Sequence, residues 1–230
     1  MRDLGGNVKP AIGADRPLSR PVSGLEFAVG AALVLGHNVW RVLPNEVPIL
    51  FVLALVSARL REGGWSALGF RRPGSWRRIV IIAVAAAALR LAIGEAIPAL
   101  TSPFWPPEVA PAGQHLVTHS PRGALAALLL VWTFAAFGEE IGYRGYLTKR
   151  GADVGGGSGI AWWIATLIVS ALFGFGHFYK GPAGVLDSGV AGLILGAAYL
   201  LSGRNLWACI LAHGLIDTVA VGAAFLGWDN

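Results

Sequence analysis

The sequence predicts an all-α fold, a polytopic membrane helix bundle with about seven (six to eight) transmembrane helices around an internal polar cavity. Of its 230 residues, 55% are hydrophobic and only 13% are charged, and the mean hydropathy is +0.61. A soluble domain usually carries about 25% charged residues. The charges here cluster between long apolar runs, which suits a bilayer because a charge at its centre costs roughly 2.5–3.5 kcal/mol on insertion scales.

Seven apolar runs are candidates for helices, since about 20 apolar residues cross a bilayer. They cover about 24–43, 47–60, 79–100, 123–149, 160–178, 184–201 and 205–227. The second run is short, so a crossing helix and a re-entrant segment both stay open.

The chain divides into three parts by composition. Residues 1–22 are rich in Gly, Pro and charges without periodicity and predict a disordered cytoplasmic tail, and residues 23–121 predict N-terminal transmembrane helices with their connecting loops. Residues 122–227 form a third part, which carries the polar motifs. No internal repeat of solenoid period is present.

The net charge of +5 does not indicate a nucleic-acid partner. Basic residues lie in short segments between apolar runs, with no aromatic-interleaved basic face, and cytoplasmic loops of membrane proteins are enriched in Lys and Arg. If the runs alternate, the basic segments share one side: the tail, the 59–78 loop, Lys149 with Arg150, and Arg204. We therefore expect a multi-pass cell-membrane protein with a cytoplasmic N-terminus, and with the 101–121 loop and the C-terminus outside.

Two acidic residues in the fourth run have different expected roles. Glu140 and Arg144 are four residues apart with the acid first, the favourable order for an ion pair on one helix face. Glu139 is rotated about 100° away in an α-helix and has no cation in the same register. Glu140 is therefore predicted to be structural, and Glu139 to be the carboxylate that serves as a general base.

Two later runs add histidines. His213 and Asp217 are also four residues apart, so both can face one cavity, where the carboxylate would fix the tautomer of the histidine or hold it protonated. His177 ends the fifth run, just after Phe173. Three helices thus each offer a His or a Glu, enough to activate water and stabilise an oxyanion or to supply three ligands to a metal.

Each cluster alone also has a structural interpretation. The Glu140–Arg144 pair could simply join one helix turn to the next, and Arg90, Glu95 and Asp187 are expected to snorkel or to make interhelical polar contacts. The occurrence of three clusters in order favours a functional site, because ionisable residues within membrane segments are otherwise rare.

The order EExxxR, FxxxH, HxxxN/D over about residues 120–220 resembles the CPBP family, which comprises CAAX proteases of the type II prenyl endopeptidase kind, bacteriocin-processing proteins and Abi proteins. The resemblance implies an intramembrane protease whose catalytic core is the 122–227 part. It implies that Glu139 and His177 activate water and that His213 and Asp217 stabilise the oxyanion. Glu140, Arg144 and Phe173 are then supporting residues.

The cofactor is left open between two mechanisms. Family members are commonly named metalloproteases, and a divalent metal such as zinc would have Glu139, His177 and His213 as candidate ligands. The chain lacks HExxH, the strongest zinc-protease signature, and we favour a metal-free glutamate mechanism. Asp217 stands where Asn would be the better oxyanion donor, since an ionised Asp only accepts. Three explanations stay open: Asp217 is protonated, it orients His213 as the donor, or it binds a metal.

The predicted function is that of an intramembrane endopeptidase acting on peptide or membrane-protein substrates, prenylated or leader-type, in the lipid bilayer. Two alternatives are a non-catalytic scaffold or immunity protein on the same fold and a proton-coupled transporter.

One difficulty concerns the depth of the catalytic residues in the membrane. Simple alternation puts Glu139 two thirds of the way towards the cytoplasm and His177 near the outer end, so strong tilt, a broken helix or different helix limits are needed.

Overall fold

A computed structural model describes residues 19–105 and 116–228. Residues 1–18 of the predicted tail, and the middle of the predicted 101–121 loop, lie outside the described residues. The described part is helical without strands, which confirms the all-α prediction. Its seven helices are α1 (Arg20–Asn38), α2 (Glu46–Arg61), α3 (Trp76–Thr101), α4 (Pro121–Val154), α5 (Gly159–Phe175), α6 (Gly181–Leu201) and α7 (Leu206–Leu226).

Each predicted apolar run corresponds to one helix, but the helices differ in their ability to cross a membrane. By length and composition, four segments within the described residues qualify: α3, α4, Phe178–Leu201 and α7. Helix α5 is apolar but has only 17 residues, fewer than the roughly 20 that span a bilayer.

Side-chain caps fix where several helices begin. A polar side chain just before the helix accepts a hydrogen bond from a backbone N–H in the first turn, which would otherwise lack a partner. This occurs at Ser19, Asn45, Ser120, Ser158 and Asn205.

Helix α4 is the longest element, with 34 residues, and its burial changes sharply along its length. Residues 131–147 are π-helical, a wider winding that is rare and frequently marks functional sites. No residue from Pro121 to Phe134 is buried, whereas every residue from Glu140 to Arg150 is buried. The first half of α4 therefore lies at the surface of the bundle and the second half lies in its core.

Small residues let the neighbouring helices approach closely. A Cβ atom on Gly142 of α4 would lie 3.2 Å from Cβ of Leu50 in α2, and one on Gly192 of α6 would lie 3.1 Å from Cα of Ser170 in α5. Membrane helices associate through such small-residue contacts because lipid supplies no hydrophobic drive between them.

A buried ion network joins α1, α2 and α4 at the end of the bundle that carries most of the arginines. Arg150 has no exposed surface, and its guanidinium donates to Glu62 Oε1 at 2.6 Å and to Ser57 Oγ at 2.7 Å; it also pairs with Glu26. Burial raises the pKa of Glu62, but the hydrogen bond and charge of Arg150 outweigh burial and hold that pKa below its usual value. Neither Glu26 nor Glu62 was predicted to contact Arg150.

The connection between α2 and α3 closes the same end of the bundle. Tyr199 donates its hydroxyl to the carbonyl of Leu68 at 3.0 Å. The amide of Leu206 donates to the carbonyl of Gly69 at 3.0 Å, and Asn205 donates to Arg71 O at 3.2 Å. These bonds hold the α2–α3 connection against the α6–α7 turn.

Candidate active site

The centre of the site is Glu140, a fully buried carboxylate on the π-helical part of α4. Its Oε1 accepts a hydrogen bond from Nη1 of Arg144 at 2.8 Å and lies 2.7 Å from Nδ1 of His213 in α7. The predicted pair with Arg144 is therefore present, although the helix there is not an α-helix. The contact with His213 was not predicted.

Arg144 connects three helices. Besides Glu140, its guanidinium donates to the carbonyl of Gly192 in α6 at 3.2 Å and lies 4.3 Å from the centroid of the Phe173 ring in α5. The cation–π contact gives Phe173 a supporting role consistent with the second motif. Arg144 thus fixes α4 relative to α5, which carries the second motif, and to α6.

His213 lies between two carboxylates. Its Nδ1 faces Glu140, and its Nε2 lies 3.4 Å from Oδ2 of Asp217. The predicted spacing of four residues does bring Asp217 beside His213. Each ring nitrogen therefore has a carboxylate oxygen that can accept its proton in a hydrogen bond. This arrangement fixes the orientation of the His213 ring.

Glu139 differs from Glu140 in forming no ion pair among the described residues. Its Oε2 is buried without a hydrogen-bond partner among the described residues. The side chain lines a cavity of about 480 Å³ whose other walls come from the start of α2 and the first half of α4: Asn45, Val47, Pro48, Leu130, Val131, Phe134 and Ala135. A buried carboxylate oxygen without a partner is unusual, because such groups are nearly always satisfied.

His177 lies in the turn after α5, and its Nδ1 is 2.9 Å from the carbonyl oxygen of Phe173. A carbonyl only accepts, so Nδ1 carries the proton in this contact and Nε2 of the neutral ring is the acceptor. The ring stacks at 4.8 Å from the Phe173 ring, which itself lies 6.2 Å from the His213 ring. In the part of the chain that the structure covers, no hydrogen bond or ion pair joins His177 directly to Glu139.

The limits of α5 bear on the depth of His177. The helix ends at Phe175, before the predicted apolar run ends near residue 178, and a Cβ on the next residue, Gly176, would lie 2.9 Å from the hydroxyl of Tyr143. The turn bearing His177 therefore packs beside the side chain of Tyr143 in α4.

Glu46 and its partner Tyr143 were missed by sequence reasoning. Glu46 is only 4% exposed, and its Oε1 accepts from Tyr143 Oη at 3.0 Å and from Asn38 Nδ2 at 2.9 Å. Acidic residues are common in the first turn of a helix because they interact favourably with the helix dipole. The position of Glu46 in the sequence therefore does not indicate whether its side chain is buried or exposed. Glu46 ties the α1–α2 connection to the site helix.

The residues predicted as metal ligands do not form a metal site in this arrangement. Among the described residues, no group of three His, Cys, Asp or Glu side chains is placed to hold a metal ion. In addition, both ring nitrogens of His213 already face carboxylate oxygens. The set Glu139, His177 and His213 therefore does not fit the zinc alternative.

Fold and site together define a polytopic helical membrane protein with a polar site contributed by three helices. Residues 121–219 match the family model described as "Type II CAAX prenyl endopeptidase Rce1-like". This segment runs from the start of α4 into α7 and contains all three motifs, and the match confirms the resemblance stated above. It indicates a CAAX protease-type intramembrane endopeptidase. No curated protein and no solved structure gave a match.

Proposed function

We propose that this protein hydrolyses peptide bonds within the membrane by means of a water molecule activated by Glu139. The observation that carries the proposal is the buried Oε2 of Glu139, which lacks a hydrogen-bond partner in the described residues and belongs to a side chain lining the cavity. The neighbouring Glu140 is already engaged by Arg144 and His213. One acid is thus structural and the other is free to take a proton.

The reaction follows from these roles. Glu139 accepts a proton from water while the water oxygen bonds to the scissile carbonyl carbon, and His177 Nε2 accepts a second hydrogen bond from that water. The carbonyl oxygen becomes an oxyanion. Nε2–H of His213, which Asp217 orients before the substrate arrives, then turns its hydrogen bond to this oxyanion. The tetrahedral intermediate then collapses, the C–N bond breaks, and Glu139 returns its proton to the leaving amine.

The substrate we propose is a membrane-associated polypeptide, of either the prenylated CAAX type or the leader type. The cavity supports this class because most of its wall is apolar, with Val47, Pro48, Val131 and Phe134 beside the single carboxylate. An extended chain with apolar side chains, or one carrying a lipid, would be desolvated there.

We propose a cytoplasmic N-terminus. Ten basic residues lie at the α1 start, the α2–α3 connection, the α4 end and the α6–α7 turn, namely Arg20, Arg59, Arg61, Arg71, Arg72, Arg77, Arg78, Lys149, Arg150 and Arg204. At the other end of the described helices are Arg41, Arg122 and Lys180. The positive-inside rule assigns the richer end to the cytoplasm.

The test of the reaction compares purified wild type with Glu139→Gln on fluorogenic CAAX-type and leader-type peptides. We expect cleavage to fall at least about 10²-fold in the variant, the usual contribution of a general base. Glu95→Gln, an exposed position on α3, is the matched control and should cleave like wild type. Full activity of Glu139→Gln would refute the assignment.

The same panel separates the alternative functions. A wild type that cleaves no peptide, while remaining folded, would favour the scaffold interpretation. Proton flux in liposomes that disappears in Glu139→Gln would favour transport instead.

A further inference from the structure

The burial pattern of α4 determines from which end of the bundle Glu139 can be reached. Glu140 to Arg150 form an unbroken buried stretch, whereas Pro121 to Phe134 include no buried residue. A substrate approaching from the Val154 end would have to displace the helices that pack around this buried stretch. From the Pro121 end, the exposed face of α4 leads directly to the cavity.

The chain connections at the Pro121 end agree with this. Besides α4, the cavity wall comes from the first residues of α2 and from its cap Asn45, directly after the α1–α2 connection. The α5–α6 turn with His177 lies at the same end, and its neighbour Tyr179 is 62% exposed. The site is thus bordered by connections whose side chains reach the surface.

The opposite end is closed by hydrogen bonds and ion pairs. The α2–α3 connection is bonded to the α6–α7 turn through Leu68, Gly69 and Arg71, and the Arg150 network fills the space between α1, α2 and α4. No residue between Glu140 and Arg150 reaches the surface there.

The closed end is also the basic end, which the positive-inside rule places in the cytoplasm. We infer that the active site opens towards the extracytoplasmic half of the membrane. Of the two substrate classes proposed above, this side of the membrane favours the leader type, a membrane-anchored polypeptide whose scissile bond lies at the outer leaflet. The cleavage step rests on the function proposed above, and the side of the opening rests on the cytoplasmic N-terminus proposed there.

The side is tested by cysteine labelling, which needs no activity. Cys209 has no exposed surface and is replaced by Ala to give a cysteine-free background. Val42→Cys, 72% exposed in the α1–α2 connection, reports on the open end, and Gly74→Cys, where an added Cβ meets nothing within 4 Å, reports on the closed end.

With a membrane-impermeant maleimide on intact spheroplasts, we expect Val42→Cys to be labelled and Gly74→Cys to be labelled only after permeabilisation. The reverse pattern would overturn the inference and assign the site to the cytoplasmic half.

The substrate side is tested with a charged, impermeant peptide that the purified wild type cleaves in detergent. We expect cleavage when this peptide is added to spheroplasts, little cleavage with inverted vesicles, and a loss of at least tenfold in Glu139→Gln spheroplasts. Cleavage confined to inverted vesicles would overturn the inference. If no peptide is cleaved even in detergent, the proposed function fails, and the labelling pattern still decides the side of the opening.

Discussion

Nδ1 of His213 lies 2.7 Å from Oε1 of Glu140, the same oxygen that accepts the hydrogen bond of Arg144 at 2.8 Å. One carboxylate oxygen therefore positions a cation from its own helix and an imidazole from α7. Glu140 acts through His213 and Arg144, which makes it a positioning residue, while its neighbour Glu139 faces the cavity. We therefore expect the two adjacent acids to have separate roles.

Replacing Glu140 by Gln should destabilise the protein far more than replacing Glu139 by Gln. Removing one partner of a buried ion pair costs about 3–5 kcal/mol because the other charge remains buried. Glu139 forms no ion pair among the described residues, so its replacement should change the free energy of unfolding little. Denaturant unfolding in detergent measures both variants, and equal stabilities would contradict the division of roles.

The role of Asp217 can be separated into shape and charge. Nε2 of His213 lies 3.4 Å from Oδ2 of Asp217. Asp217→Asn keeps an oxygen that can accept a hydrogen bond from this Nε2, so we expect kcat/KM to stay within about tenfold of wild type. Asp217→Leu removes that acceptor and should lower kcat/KM by about 10²-fold, comparable to the loss of one oxyanion-site group. If Asn were as inactive as Leu, the negative charge itself would be required.

Tyr143→Phe should be more costly than Tyr199→Phe. Both rings are buried, but Tyr143 donates to the carboxylate of Glu46 at 3.0 Å and Tyr199 to the backbone carbonyl of Leu68 at 3.0 Å. Hydrogen bonds to charged groups contribute about 1.5–3 kcal/mol against about 0.5–1.5 for neutral ones. Thermal unfolding of the two variants checks this order, and a larger loss for Tyr199→Phe would refute it.

Acid should weaken the network around Arg150. The pKa of Glu62 is below its ordinary value of 4.5 in the folded protein. A depressed folded-state pKa contributes stability that is complete above the unfolded value and is lost as pH falls through the folded value. We therefore expect the free energy of unfolding to decrease below about pH 5.

The matched variant for this measurement is Glu62→Gln, followed by denaturant unfolding from pH 7 downwards. It should be less stable than wild type at pH 7 and should show a shallower decrease in acid. A variant with an unchanged slope would show that Glu62 does not contribute.

Chelation should leave peptide cleavage unchanged. Both ring nitrogens of His213 face carboxylates, and the described residues contain no three-ligand group. Incubation with a strong chelator before the assay measures this. Activity that is lost and then restored by zinc would show that the site rearranges into a metal centre.

The sequence predicts contacts within one helix and misses those between helices. The Glu140–Arg144 and His213–Asp217 pairs follow from a spacing of four residues, which holds wherever the backbone is helical. The contacts of Glu140 with His213 and of Glu46 with Tyr143 depend on how α2, α4 and α7 pack. No spacing within a single helix contains that information.

The helix limits were also only partly predictable. All seven apolar runs form helices, yet α5 ends at Phe175, so that Gly176 lies beside Tyr143 and His177 lies in the turn beyond the helix. Hydrophobicity continues past that residue through Phe178, so an apolar run does not reveal where the helix stops. The ion network around Arg150 was missed because Glu26, Glu62 and Arg150 belong to separate segments.

The contacts of Arg144 have a consequence for how the chain enters the membrane during translation. Helix α4 leaves the ribosome before α6 and α7, so the carbonyl of Gly192 and the ring of His213 do not yet exist when Arg144 and Glu140 meet lipid. Their own pair within α4 lowers the cost of inserting two charges at that moment. The motif that later holds the site together is thus also expected to help its helix enter the membrane before α6 and α7 are made.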